Sequence, residues 1–131
     1  MVFSESEIAY LAGQRLGRLA TAKPDGTLQV SPVGFSYNPA AATIDINGFN
    51  LATSRKFRNI ADNGRAAFVV DDLVSIQPWR VRCLEIRGVA EAVTTGDGPL
   101  IRLHPRRIIA FGIDEPDVEA HGLTVNSRNV D

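Results

Sequence analysis

Leu16-Gly17-Arg18-Leu19-Ala20-Thr21-Ala22, then Pro24-Asp25-Gly26, then Leu28-Gln29-Val30-Ser31-Pro32-Val33 and on to Tyr37, is the stretch from which the architecture follows. The first segment has the length and bounds of a strand, although Ala and Gly weaken its strand propensity. Pro24-Asp25-Gly26 is turn chemistry: Pro presets φ at the first central position and Gly supplies a positive φ. Residues 28–37 read as the return strand, so the stretch is a β-hairpin. Pro32 lies inside that return strand and has no N–H to give a ladder. It predicts a sheet edge, a bulge or the lip of a site.

Upstream, Ser4-Glu5-Ser6-Glu7 fits a capping box, with Ile8, Leu11 and Ala12 as an apolar stripe and Gly13 as a stop; the spacing predicts a helix over 5–12. Downstream, Asn38-Pro39 is a turn. Thr43-Ile44-Asp45-Ile46-Asn47 alternates, with the two Ile residues on one face. A helix is expected over 54–62, with Phe57, Ile60 and Ala61 as its buried stripe and Asn63-Gly64 as its end. Residues 66–70 read as a strand buried on both faces. Residues 79–94 read as a long strand with Leu84 and Ile86 opposite Glu85 and Arg87, and a bulge at Gly88. Gly96-Asp97-Gly98-Pro99 is a turn, 106–113 the last strand, and 114–131 a polar, acidic tail. The expectation is one domain over 1–131 with its core at about 4–113. It is mainly β with short helices: six antiparallel strands in a closed or partly closed barrel.

The bulk properties narrow the function. The chain has 131 residues, 44% hydrophobic and 22% charged, with net charge −1. That is enough chain to bury a core. The near-neutral charge supplies no basic field for nucleic acid. No apolar run approaches the length of a membrane span, and the N-terminus has no basic region followed by an apolar core, so the expected compartment is the cytoplasm. One Cys and two His make neither a disulfide framework nor a zinc site. His104 and His121 sit in no catalytic motif, and the serines lack a nucleophile elbow. Cys83 falls in a strand, where a buried thiol is an inert hydrophobe. Asp71 and Asp72 are adjacent in a strand and so point to opposite faces, which rules against an acid/base dyad. No catalytic side chain is expected, and a cofactor must carry any hard chemistry.

Thr53-Ser54-Arg55-Lys56-Phe57-Arg58-Asn59 offers a place for one. Hydroxyl residues stand at the cap and three cations crowd the first turns, where the helix dipole favours anions. Free N–H groups, hydroxyls and cations together suit a phosphate; the alternative is an exposed helix face with solvated cations. Gln29 and Ser31 share one strand face and could bond a heterocycle, or simply face solvent. Trp79-Arg80-Val81-Arg82 joins an aromatic face to two cations and could close over a partner's ligand in a dimer. Arg102, Arg106 and Arg107 form a second basic group.

Three pieces carry a family resemblance: Leu19-Ala20-Thr21 through Val33, the Ser54–Asn59 run, and Pro105-Arg106-Arg107-Ile108-Ile109-Ala110-Phe111-Gly112. Together they resemble the pyridoxamine 5′-phosphate oxidase-like split-barrel superfamily, and more narrowly its actinobacterial branch of enzymes that use the deazaflavin coenzyme F420. The resemblance spans residues 4 to about 113. It implies a homodimer of six-stranded split barrels with two cofactor sites at the subunit interface. Ser54, Arg55 and Lys56 would meet the cofactor phosphate. Gln29, Val30, Ser31 and Pro32 would line the ring, with Asn47 and Thr53 near it, and Trp79 and Arg80 would come from the other subunit. The cofactor would be F420 or FMN, and some members bind haem. The chain lacks the C-terminal Arg- and His-bearing segment of true pyridoxamine phosphate oxidases, which argues against that substrate. The implied activity is hydride transfer from reduced F420 to a small conjugated substrate; the alternatives are an FMN-dependent oxidoreductase and a non-enzymatic flavin or haem binder.

Overall fold

A computed structural model describes residues 1–130. The first helix, α1 (Glu5–Ala12), starts at a reciprocal cap: the Ser4 hydroxyl accepts from the Glu7 N–H at 3.2 Å, and the Glu7 carboxylate accepts from the Ser4 N–H at 2.9 Å. The strands are β1 (Leu16–Ala22), β2 (Leu28–Gly34), β3 (Ser36–Asn38), β4 (Thr43–Ile46), β5 (Arg65–Ser75), β6 (Arg80–Thr95), β7 (Gly98–Phe111) and β8 (Asn126–Asn129), with α2 (Arg55–Asn63) between β4 and β5. All pairings are antiparallel, in the order β2-β1-β5-β6-β7-β4-β3, with β8 also on β7. Consecutive strands β2 and β3 thus form the two opposite edges of the sheet. Only Phe35 links them, so the sheet curls to bring its two edges together at that residue, with no ladder between them. Among the described residues, no helix is long and apolar enough to cross a membrane.

Eight strands replace the expected six. The 28–37 segment breaks at Phe35, whose ring packs edge-on against Phe68 with centroids 5.1 Å apart, and the chain then pairs with β4 instead of β1. The last long strand starts at Gly98 rather than 106, because Thr95–Gly98 closes a tight hairpin. Pro105 does not stop it; it sits where the register slips between Arg87 and Gly88. Gly88 is required there, since a Cβ would lie 2.0 Å from the His104 carbonyl oxygen. The eighth strand lies in the expected tail. Residues 126–129 pair with β7, and the Val130 N–H donates to the Arg106 carbonyl at 2.8 Å.

The inner face of the sheet buries Leu19, Ile44, Ile46, Phe68, Leu84, Ile86, Ile101, Leu103 and Ile108. Leu84 and Ile86 point inward and Glu85 and Arg87 outward, as the alternation predicts. Residues 66–70 are not buried on both faces. Ala67 and Val69 point outward and are half-buried; by register they share that outer face with Ala20, Val30 and Leu28. Val30 and Leu28 are 67% and 77% exposed, so an apolar patch is uncovered on this side of the single chain, bordered by the Arg18–Asp71 and Glu85–Arg87 pairs.

Candidate functional site

The start of α2 has the predicted chemistry, with its hydroxyls already engaged. Ser54 is the cap: its Oγ accepts from the Phe57 N–H at 3.2 Å and donates to the Leu51 carbonyl at 2.6 Å. Thr53 donates to the Asn50 carbonyl at 3.0 Å. The first-turn N–H groups of Arg55 and Lys56 have no intrahelical acceptor, as at any helix start. No acidic residue lies in that turn. Among the described residues, Arg55, Lys56 and Arg58 join no ion pair. The turn at Pro24-Asp25-Gly26 lies nearby. The Asp25 carboxylate accepts from the Thr27 N–H at 2.9 Å, which holds its pKa below the usual range, and Lys23 and Arg55 lower it further.

The buried stripe of α2 differs from the expected one. Asn59 is 0% exposed beside Ile60, whereas Ala61 is exposed and Phe57 only half-buried. Positions 56, 59, 60 and 63 face the sheet, a rotation of one residue. Hydrogen bonds cause it. The Asn59 side-chain amide donates to Thr21 Oγ1 at 3.1 Å and to Gln29 Oε1 at 3.2 Å, and the Asn63 amide donates to the Ala22 carbonyl at 2.7 Å. Lys56, one turn before Asn59, therefore lies on the helix face toward β1 and β2 and is half-buried. Asn59 is the site-bearing residue that periodicity misses. The signal for it is an amide residue three positions after Lys56 in a helix with few apolar residues.

Gln29 and Ser31 share the inner face of β2, in register with Thr21 and Leu19, as expected. Gln29 accepts from Asn59, so its amide N–H₂ is the group left to face a ligand. Ser31 Oγ is buried with no protein partner. Val30 and Pro32 alternate to the outer face, so the four residues do not line one surface with their side chains. Pro32 sits on an edge strand, where a missing N–H is tolerated. Asn47 is exposed just past the end of β4, in the loop that leads to α2. Trp79 and Arg80 do not join this group within one chain. They stand at the β5–β6 hairpin, nine residues along from the Ala66 level of β5, or about 30 Å at strand rise.

The alternative catalytic groups are structurally committed. Asp71 pairs with Arg18 on the outer face, and Asp72 with Arg82 at 2.6 Å on the inner one. His104 contacts Glu91. Burial pushes the Cys83 thiol up, away from a reactive thiolate.

Residues 5–111 match the family model described as pyridoxamine 5′-phosphate oxidase. A protein of Streptomyces rimosus, 5a,11a-dehydrotetracycline/5a,11a-dehydrooxytetracycline reductase, is 43% identical over 122 residues, covering 87% of this chain and 86% of that protein. Two solved structures from Mycobacterium smegmatis share the fold. An FAD-binding protein has a TM-score of 0.63 at 20% identity, over 84% of this chain and 95% of that one. A heme-binding protein has a TM-score of 0.71 at 17% identity, over 98% of this chain and 59% of that one.

Proposed function

The chain belongs to the pyridoxamine 5′-phosphate oxidase family, and from that premise we propose that it is a flavin-type oxidoreductase that takes hydride from reduced F420 to a small conjugated substrate. The observation that carries the reading is the start of α2: three cations that join no ion pair among the described residues, and free N–H groups, beside an edge strand that offers Gln29 and the Ser31 hydroxyl, which is buried with no partner among those residues. That donor set fits a phosphate joined to a polar heterocycle. The similarity to the Streptomyces rimosus reductase supports reduction as the direction of the chemistry.

When bound, a deazaflavin supplies a ring carbon that gives or takes hydride, so no catalytic acid or nucleophile is required of the protein. Arg55, Lys56 and their backbone N–H groups would hold the phosphate. Ser54 acts on it indirectly, by capping the helix that presents those groups. Gln29 Nε2 and Ser31 Oγ would donate to the ring's acceptor edge, and Asn59 holds the Gln29 amide in the matching orientation. The work of the protein is orientation and exclusion of water.

A homodimer belongs to the same proposal. The apolar outer face around Leu28, Val30, Ala67 and Val69 is suited to a second copy, and Trp79 and Arg80 reach an α2 start only from a partner chain. Binding and turnover test the whole reading. A colourless purified protein that binds added F420 at micromolar affinity and oxidises reduced F420 with enones or quinones supports it. A yellow protein with bound FMN favours the FMN-dependent alternative, and tight binding without turnover the non-enzymatic binder. Sedimentation at monomer mass would remove the dimer.

A further inference from the structure

Beyond β7 the chain makes a detour before it returns as β8. Ala110 of β7 pairs with Asn126 of β8, so residues 112–125 leave and rejoin the barrel at one place. A compact surface loop with its ends together is an Ω-loop, a form often used in function. This one is bonded to itself. The Glu115 carboxylate accepts from the Thr124 N–H at 3.0 Å, the Glu115 carbonyl from the Val118 N–H at 3.2 Å, and the Glu119 carbonyl from the Gly122 N–H at 2.9 Å.

Two of its contacts outside itself fall at the start of β6. Gly112 sits at φ 79°, and a Cβ there would lie 2.0 Å from the Val81 carbonyl oxygen, so the loop leaves β7 in backbone contact with β6. At the 3-10 turn Ala120–Gly122, the Ala120 N–H donates to the Trp79 carbonyl at 2.9 Å. Trp79 lies between the end of β5 at Ser75 and the start of β6 at Arg80, and the β5–β6 register slips between Leu73 and Ser75. The ladder therefore does not hold Trp79; the bond from Ala120 does. The side chains steadied in this way are not spent on the fold. Trp79 is 51% exposed, and the Arg80 Nε is buried with no acceptor among the described residues. A buried donor left unpaired costs about 1–3 kcal/mol.

We propose that loop 112–125 is a strap that positions Trp79 and Arg80 for a partner chain's cofactor site, with Ala120 as the positioning residue. The inference rests on the dimer and cofactor reading above and adds what holds the residues that cross between chains. Each chain's tail then governs the affinity of the other chain's site. The strap acts through the backbone of Trp79, so its loss frees the hairpin tip without removing any group that meets the cofactor.

In the full chain, Ala120→Pro removes the donor and keeps the turn. Glu119 is at φ −66°, ψ 153°, the extended geometry that proline demands of the residue before it, and Ala120 opens the 3-10 turn, where proline's fixed φ fits. Ala120→Ser keeps the N–H and is the control; Glu115→Ala opens the base of the loop and serves if the proline variant does not fold. Trp79 is the chain's one tryptophan, so its fluorescence reports the hairpin alone. Ala120→Pro should raise acrylamide quenching of Trp79 and weaken F420 binding about two- to tenfold, the worth of one neutral hydrogen bond. Ala120→Ser should match the wild type, and Glu115→Ala should shift both readouts in the direction of the proline variant. Mixing Ala120→Pro with Arg55→Ala chains tests the crossing. Each mixed dimer has one site with an intact α2 start and an intact strap from its partner, so a class of sites with wild-type affinity should reappear. Wild-type quenching and affinity in Ala120→Pro would overturn the strap. A mixture that sediments at dimer mass without wild-type sites also overturns it, because the strap then acts on its own chain; monomer mass removes the dimer and the strap's target together. If the wild-type chain does not bind F420, the cofactor reading falls, and quenching alone decides whether Ala120 holds the hairpin.

Discussion

Arg128 donates from both terminal guanidinium nitrogens to the carboxylate of Glu7, at 2.6 and 2.9 Å, across 121 positions of sequence. The Glu7 side chain is 4% exposed and that of Arg128 29%, so a buried carboxylate is held by a partly exposed cation that joins β8 to α1. The same guanidinium donates to the Val2 carbonyl at 2.9 Å. Removing the cation strands the buried Glu7 carboxylate, and leaving a buried charge unpaired costs about 3–5 kcal/mol.

Arg128→Met should therefore lower the urea midpoint by the equivalent of about 3 kcal/mol with the m-value unchanged. A midpoint shift below about 1 kcal/mol, the range of exposed pairs, would show that β8 is held by its ladder alone.

A second, partly buried junction contributes to the pH response. The Tyr10 hydroxyl donates to Asp72 at 2.9 Å, and Arg82 grips the same carboxylate at 2.6 and 2.9 Å. Arg82 chiefly, then Tyr10, hold the Asp72 carboxyl below its ordinary pKa despite partial burial. A lowered carboxylate stabilises the fold above its unfolded pKa, near 3.9, and that contribution disappears as pH falls through the folded value. Stability should be flat from pH 7 to about 5 and fall below about 4, and Asp72→Asn should make that acid limb shallower, with Asp45, also held low, keeping its share. Burial, then the Asp72 bond, pushes the Tyr10 phenol well above its usual range, so its contribution persists at alkaline pH until the phenol ionises. Tyr10→Phe should cost about 1–2 kcal/mol at neutral pH, read from denaturant titrations across this range.

Arg55→Ala and Lys56→Ala should each weaken F420 binding about ten- to a hundredfold, the worth of a charged hydrogen bond. Neither residue is in an ion pair among the described residues, so thermal midpoints should hold. Fluorescence titration measures the first and calorimetry the second. Lost stability with unchanged affinity would move the phosphate elsewhere.

Asn59→Ala and Phe57→Ala separate the two faces of α2. The first leaves Thr21 and Gln29 unpaired and should cost about 2–3 kcal/mol while also weakening F420 binding through Gln29. The second should cost about 2 kcal/mol, less than the 3–5 of a fully buried Phe, with cofactor affinity retained. Wild-type affinity in Asn59→Ala would reduce that residue to packing.

What could be read from the chain depended on the distance between cause and effect. Ser4 and Glu7 are three residues apart, and the capping box is where the spacing placed it. The Pro24-Asp25-Gly26 turn, the Gly88 bulge and the end of α2 at Gly64 are equally local. The inward rotation of Asn59 is not, because its cause is Thr21, 38 positions away. The break at Phe35 depends on Phe68, and β8 on β7. Residues 126–129, Asn-Ser-Arg-Asn, have no apolar alternation at all. Gln29 and Ser31 were legible as a face; that Asn59 occupies the Gln29 acceptor was not.

The pairing of Glu7 with Arg128 sets the order of synthesis against the order of assembly. The ribosome makes α1 before β8, and the cation that neutralises its inward carboxylate follows 121 positions later. Until then α1 can form through its own cap but has an uncompensated charge on the side that must dock. Helix α1 is thus synthesised well before the cation on which its docking depends.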